Sequence, residues 1–148
     1  NILDNAANGI PAYVVEKAER ISENHRRSIQ MYYAAGGNIA MGTDAGTPFN
    51  KHGANAMELE FMANLGIKPI DALRSGTSIS ADLMDLSDQG RIKAGNAADF
   101  LVVDGNPAID IQMASRLENH RLVIKGGTPI TGQPAHMPSP NFQRMAAF

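Results

Sequence analysis

The order of elements over residues 11–66 is what most limits how this chain can fold. A long amphipathic helix leads into a short apolar strand, a glycine-bracketed loop and a second helix. Residues 11–35 read as the first helix, with Pro11 suited to a first helical position. Val14, Ala18, Ile21, His25, Ile29 and Tyr32 recur at steps of three and four and share one face. Glu16, Arg20, Glu23, Arg27 and Gln30 occupy the other, and Gly36-Gly37 ends the helix. Residues 38–43 then read as a buried strand through Ile39, Ala40 and Met41, followed by Gly42-Thr43-Asp44-Ala45-Gly46. A loop over residues 47–53 precedes a helix over about 54–65 that stops at Gly66. A third helix is predicted from Pro69 to about Gly76, with a further helical turn or two over 80–86.

The pattern changes near Gly90. Arg91-Ile92 reads as a short strand and residues 99–104 as a clear one, bounded by Gly105-Asn106-Pro107. Residues 121–125 read as another strand, ended by Gly126-Gly127. Beyond Thr131 the prolines Pro134, Pro138 and Pro140 and the scarcity of aliphatics suggest a tail. The expected division is a helix-rich part over 1–87, a strand-rich part over 88–130 and a Pro-rich tail over 131–148, with no internal repeat.

A formal net charge of −2 argues against nucleic-acid or membrane-surface partners. No run approaches the roughly 18 apolar residues of a membrane span. A soluble chain is expected; its compartment is left open, with the cytoplasm slightly favoured. Cysteine is absent, so disulfides and thiolate metal sites are excluded. Any metal must be held by His, Asp or Glu, and there are four His.

Helix–strand–loop–helix order is a β/α unit, and in β/α barrels the reacting groups stand at the C-terminal strand ends and the loops that follow. Asp44 occupies that position. A carboxylate there can ligate a metal, act as a general base, or do both. Gly42 would let the backbone approach closely and Gly46 would let the loop leave sharply. A lone Asp at a strand end is, however, more often a turn former or helix cap.

Gly42-Thr43-Asp44-Ala45-Gly46-Thr47, followed by His52-Gly53-Ala54-Asn55 and Glu58-Leu59, resembles the last barrel strand and loop of the amidohydrolase superfamily. Within it the sequence is similar to the branch holding imidazolonepropionases and prolidase-like or carboxypeptidase-like dipeptidases. The stretch from Gly90-Arg91-Ile92 to Gly105-Asn106-Pro107 resembles the return of such chains into a small β-sandwich, and Val123-Ile124-Lys125-Gly126-Gly127 its closing strand. The short Gly-Thr-Asp motif is unspecific alone; the two blocks in this order are specific.

The resemblance implies an α/β fold: the last β/α units of a TIM-type (β/α)8 barrel plus the C-terminal part of a β-sandwich. It implies a divalent metal, usually zinc, singly or as a pair, whose bound water attacks a carbonyl carbon. Asp44 is implied as a metal ligand and as the group passing a proton from that water to the leaving nitrogen. Thr43, His52 and Asn55 are the candidate substrate contacts. Short peptides are the first expected substrate, cyclic amides the second, and deamination the third.

The departures are equally concrete. No two His lie within two positions of each other, so the first-strand His-x-His pair is absent, and Asp44 is the one ligand the sequence offers where three or four are needed. A full barrel needs eight such units and typically ~250 residues. The chain is therefore expected to be the C-terminal part of a longer enzyme, inactive alone, with the remainder of the barrel as its partner. The competing expectation is a non-catalytic module that pairs with its own copies through exposed apolar faces and strand edges, giving a homo-oligomer.

The remaining residues carry plainer readings. His25 is expected as a hydrogen-bonded interior residue, Asn55 as a possible helix cap and Glu58 as a first-turn acid favoured by the helix dipole. His120 and His136 fall away from the motif, and Asp99 and Asp104 read as turn residues bracketing a strand.

Overall fold

A computed structural model of the chain describes residues 2–47 and 49–131. The expected Pro-rich tail, with His136, lies outside them apart from Thr131. The fold is mixed α/β. Helix α1 spans Ala12–Ala34, with Pro11 just before its first turn rather than in it. A 3-10 turn, Asn55–Met57, feeds α2, Glu58–Asn64. Then come α3, Pro69–Arg74, a π-helical stretch, Ser75–Ile79, and α4, Ser80–Leu83. The predicted third helix and its extra turns are thus one continuous rod with a widened middle. Strand β1, Phe100–Val103, the single-turn helix α5, Gln112–Ser115, and strands β2, His120–Lys125, and β3, Thr128–Pro129, complete the order.

The three strands form one antiparallel sheet in the order β1-β2-β3. Phe100 faces Ile124 and Val102 faces Leu122, then a bulge between Val102 and Val103 shifts the pairing to His120. Gly126 and Gly127 both have positive φ, at 55° and 79°, and make the two-residue turn that sets Lys125 opposite Thr128. Such turns need two residues free to adopt left-handed backbone, which two glycines supply.

The core is small. Leu59 and Met62 of α2, Ile67, Ala72 of α3, Ile111 and Ala114 of α5 form its buried cluster, with Ile29, Tyr33, Ile39, Met41, Ala63 and Leu73 packed around it. The sheet region is clamped to α2 by Glu60, which takes two hydrogen bonds from Arg116, at 2.6 and 2.7 Å, and one from the Ser115 hydroxyl. A matching clamp joins α1 to α3: the Tyr33 hydroxyl donates to Asp71 at 2.7 Å and accepts from the Lys68 amide at 3.2 Å.

Two expectations are corrected, and a third is met without its strand pairing. Residues 38–43 are extended but join no ladder among the described residues; one tie to the rest is the Met41 amide donating to the Ser75 carbonyl at 3.1 Å. That carbonyl lies in the π-helical stretch, where widened hydrogen bonding re-aims backbone groups. Arg91-Ile92 is not a strand: Ile92 is 87% exposed, and Arg91 forms a bidentate pair with Asp82. Helix α1 buries none of its residues outright, and Ile21, His25 and Tyr32 of its supposed inner face are exposed. The half-buried stripe runs instead through Val14, Val15, Ala18, Ser22, Ile29 and Tyr33.

Candidate active site

Asp44 follows directly on the extended segment and opens a tightly stitched loop. Its backbone sits in the left-handed region, φ 51°, as does that of Phe49 at φ 61°. Asp tolerates this conformation; Phe does so rarely, at a cost on the order of 1–3 kcal/mol. Local hydrogen bonds hold the loop in place. The Thr47 hydroxyl donates to the Asp44 carbonyl at 3.0 Å, the Gly46 amide to the Asn50 carbonyl at 2.8 Å, and the Asn50 amide to the Thr47 carbonyl at 3.0 Å. Asn50 also donates its side-chain amide to the Thr43 carbonyl.

The Asp44 residue is exposed, and its carboxylate has no hydrogen-bond or ionic partner among the described residues. It does not cap a helix. It lines an open cleft of about 750 Å³ between this loop and the start of α1, together with Asn8, Pro11, Tyr13, Thr47 and Asn50. A carboxylate so placed is free to accept a proton or bind a cation.

Thr43 and Asn55 are brought together. The Asn55 side-chain amide donates to the Thr43 hydroxyl at 3.2 Å, while its carbonyl oxygen accepts from the Gly53 amide at 3.1 Å. Asn55 is thereby a brace across the loop, fixing the residue before Asp44. His52 is exposed and lies over Gly46, where an added Cβ would stand 3.1 Å from His52 Nε2. Gly46, at φ 99°, supplies the sharp exit expected of it, whereas nothing lies within 4 Å of a Cβ placed at Gly42, so no close approach explains that glycine.

Thr43, Asn50 and Asn55 also line a second, smaller cleft of about 130 Å³ with Lys51, Glu58 and Phe61. Burial pushes the Glu58 carboxyl above its ordinary range. In the sequence Glu58 reads as a first-turn acid and Lys51 as an ordinary loop residue. The spacing Lys51-x6-Glu58 carries no recognisable signal, because it is the loop path that brings them to one cleft.

Asp99, Asp104 and His120 are engaged in structural contacts. Asp99 accepts from the Gly126 amide at 2.7 Å and from the Lys125 ammonium, and Asp104 pairs with Arg121, so both hold their carboxyls below the usual range through those hydrogen bonds. His120 donates Nε2–H to the Ala114 carbonyl at 2.8 Å. Among the described residues no three His, Asp or Glu side chains gather as a metal would require. Asp44 and its surroundings therefore do not by themselves fit a metal centre.

The profile of the Amidohydrolase family matches residues 1–130. The chain is similar to ochratoxinase of Aspergillus niger, 27% identical over 121 residues, which is 78% of this chain and 24% of that enzyme. Among solved structures it is similar to a Xaa-Pro dipeptidase with methionine bound in the active site, at 36% identity and a TM-score of 0.72, covering 82% of this chain and 29% of that one. It is also similar to a prolidase complexed with N-methylphosphonate-L-proline, at 26% identity and a TM-score of 0.77, covering 89% and 32%. The chain thus spans about a quarter to a third of the length of these relatives. A family profile over nearly the whole chain, together with this mixed α/β arrangement around Asp44, shows that the chain belongs to the amidohydrolase family.

Proposed function

We propose that these residues form the C-terminal part of an enzyme that hydrolyses the amide bond of short peptides, with Asp44 as its proton shuttle. Segment 38–43 would be the last strand of a β/α barrel and the sheet of β1, β2 and β3 part of an adjoining sandwich, with a division near residue 87. The unpaired edges of segment 38–43 support this reading, because a barrel strand is completed by neighbours from other parts of the chain. The observation that carries the chemistry is the Asp44 carboxylate, unpartnered among the described residues and open to a cleft at the end of that segment. In the proposed reaction one carboxylate oxygen of Asp44 takes a proton from the attacking water. It then returns that proton to the departing nitrogen, so that an amine and not an amide anion leaves. A role for Asp44 as a metal ligand needs partners beyond those described.

Similarity to a Xaa-Pro dipeptidase and a prolidase favours short peptides with a free carboxylate over cyclic amides and over deamination. Thr43, His52 and Asn55 are proposed to border the substrate, Thr43 and Asn55 as a fixed wall and His52 from its place over Gly46. The test is a substrate panel on the full-length protein. Turnover of Xaa-Pro dipeptides above that of hydantoin-type rings and aminopurines is expected; hydrolysis of the rings alone would overturn the peptide assignment.

A second reading rests on α1, where Tyr13 is 72% and Met31 61% exposed. Left alone, such a face and the free edges of segment 38–43 would pair with another copy of the chain. Sedimentation of the isolated chain discriminates: a concentration-dependent dimer favours this reading, and a monomer at all concentrations removes it.

A further inference from the structure

The smaller cleft beside Asp44 has a charge arrangement that the hydrolytic reading does not use. Its fixed wall is spent: Asn55 is engaged with Thr43 and Gly53, and Asn50 with Thr43. Two charged groups of opposite sign remain, Glu58 and Lys51. No ion pair joins them to each other or to any other described residue. Glu58 is half-buried, and a carboxylate taken from water without a donor is costly. A bare cation would answer Glu58 and be opposed by Lys51; a bare anion would do the reverse. A molecule carrying an ammonium and a carboxylate a few bonds apart satisfies both at once. The volume, about 130 Å³, is well below the roughly 300–1,000 Å³ of sites for larger ligands and suits a single small residue.

We propose that the cleft of Thr43, Asn50, Lys51, Asn55, Glu58 and Phe61 is a subsite for a small zwitterionic amino acid, with Glu58 receiving the ammonium and Lys51 the carboxylate. This is the chemistry of a product that peptide hydrolysis releases, and for that biological role the subsite rests on the peptidase reading. The cleft adjoins the one that Asp44 lines, since Phe49 and Asn50 border both.

The test reads binding on the full-length protein, through the amide resonances of residues 43–58, using glycine as the probe. Glycinamide lacks the negative charge and N-acetylglycine lacks the positive one. Saturable shifts with glycine are expected, with both analogues weaker by about tenfold or more, the loss of one charge-assisted hydrogen bond. Glu58→Gln should bring glycine down to the level of N-acetylglycine, and Lys51→Met down to that of glycinamide. Equal binding of all three probes, no saturable shift with glycine, or glycine binding unaffected by Glu58→Gln would overturn the proposal. Lys51 is exposed, so Lys51→Met keeps the test sound should Glu58→Gln misfold. Loss of the subsite alongside intact peptide turnover by the full-length protein would leave the hydrolytic reading standing, and the converse result would leave the subsite standing.

Discussion

Asn55→Ala tests whether the loop that presents Asp44 is braced as described. The substitution deletes the donor to the Thr43 hydroxyl at 3.2 Å and the acceptor for the Gly53 amide at 3.1 Å. Each such bond contributes about 0.5–1.5 kcal/mol net, so the pair is worth about 1–3 kcal/mol, and the exposure of Gly53 puts the total near the lower end. Urea unfolding should lose about 1–2 kcal/mol, and amide exchange at Gly53 should accelerate while exchange in α3 is unchanged. Thr43→Val separates the two bonds, since it removes the hydroxyl that accepts from Asn55 and leaves Gly53 its acceptor; about half the loss is expected. Stability within about 0.3 kcal/mol of the parent, with Gly53 protection intact, would refute the brace.

Other consequences follow from the same geometry. Leu59 is 7% exposed in the central cluster, so Leu59→Ala should lower unfolding free energy by about 2–4 kcal/mol, read from the urea midpoint at constant slope. The two neighbouring glutamates of α2 should give opposite pH limbs. The hydrogen bond from Arg116, aided by Ser115, lowers the Glu60 carboxyl below its ordinary 4.5; its contribution is present above that value and is lost as pH falls through the lowered one. Burial raises Glu58 above 4.5, so its contribution is full below 4.5 and is lost as pH rises through the raised value. Glu60→Gln should remove the acid limb and destabilise at neutral pH, while Glu58→Gln should flatten the upper limb and be neutral or stabilising there; thermal melts across pH 3–7, a window of about four pH units, check both.

Local pattern was legible where it is self-contained. Helix α1 was readable because its periodicity and the Gly36-Gly37 stop act over a few residues. Strand β1 was readable because its apolar run is bounded by turn residues. Which face of α1 is covered was not readable, since that depends on Tyr33 finding Asp71 and Lys68, some 35 to 38 positions away. Segment 38–43 has the composition of a strand, yet pairing is a property of neighbours, and none of the described residues pairs with it. Arg91-Ile92 was misread because a dipeptide carries no period, and the ion pair with Asp82 fixes it as a turn. Strand β3 was missed although Gly126-Gly127 is itself a hairpin signal. At the site, the position of Asp44 was legible from the glycines around it. The bracing role of Asn55 and the meeting of Lys51 with Glu58 were not, because both arise from the path of the loop.

The proposed chemistry rests most directly on the Asp44 carboxylate, and the measurement that reaches it is turnover by the full-length protein carrying Asp44→Asn, with metal content determined alongside. The side chain is exposed and has no described partner, so the change should leave the fold and melting temperature intact. A fall in kcat of about 10²–10⁴-fold, with peptide binding largely retained, is the predicted result. Parental kcat in a variant of unchanged metal content would contradict the proton-shuttle role assigned to Asp44.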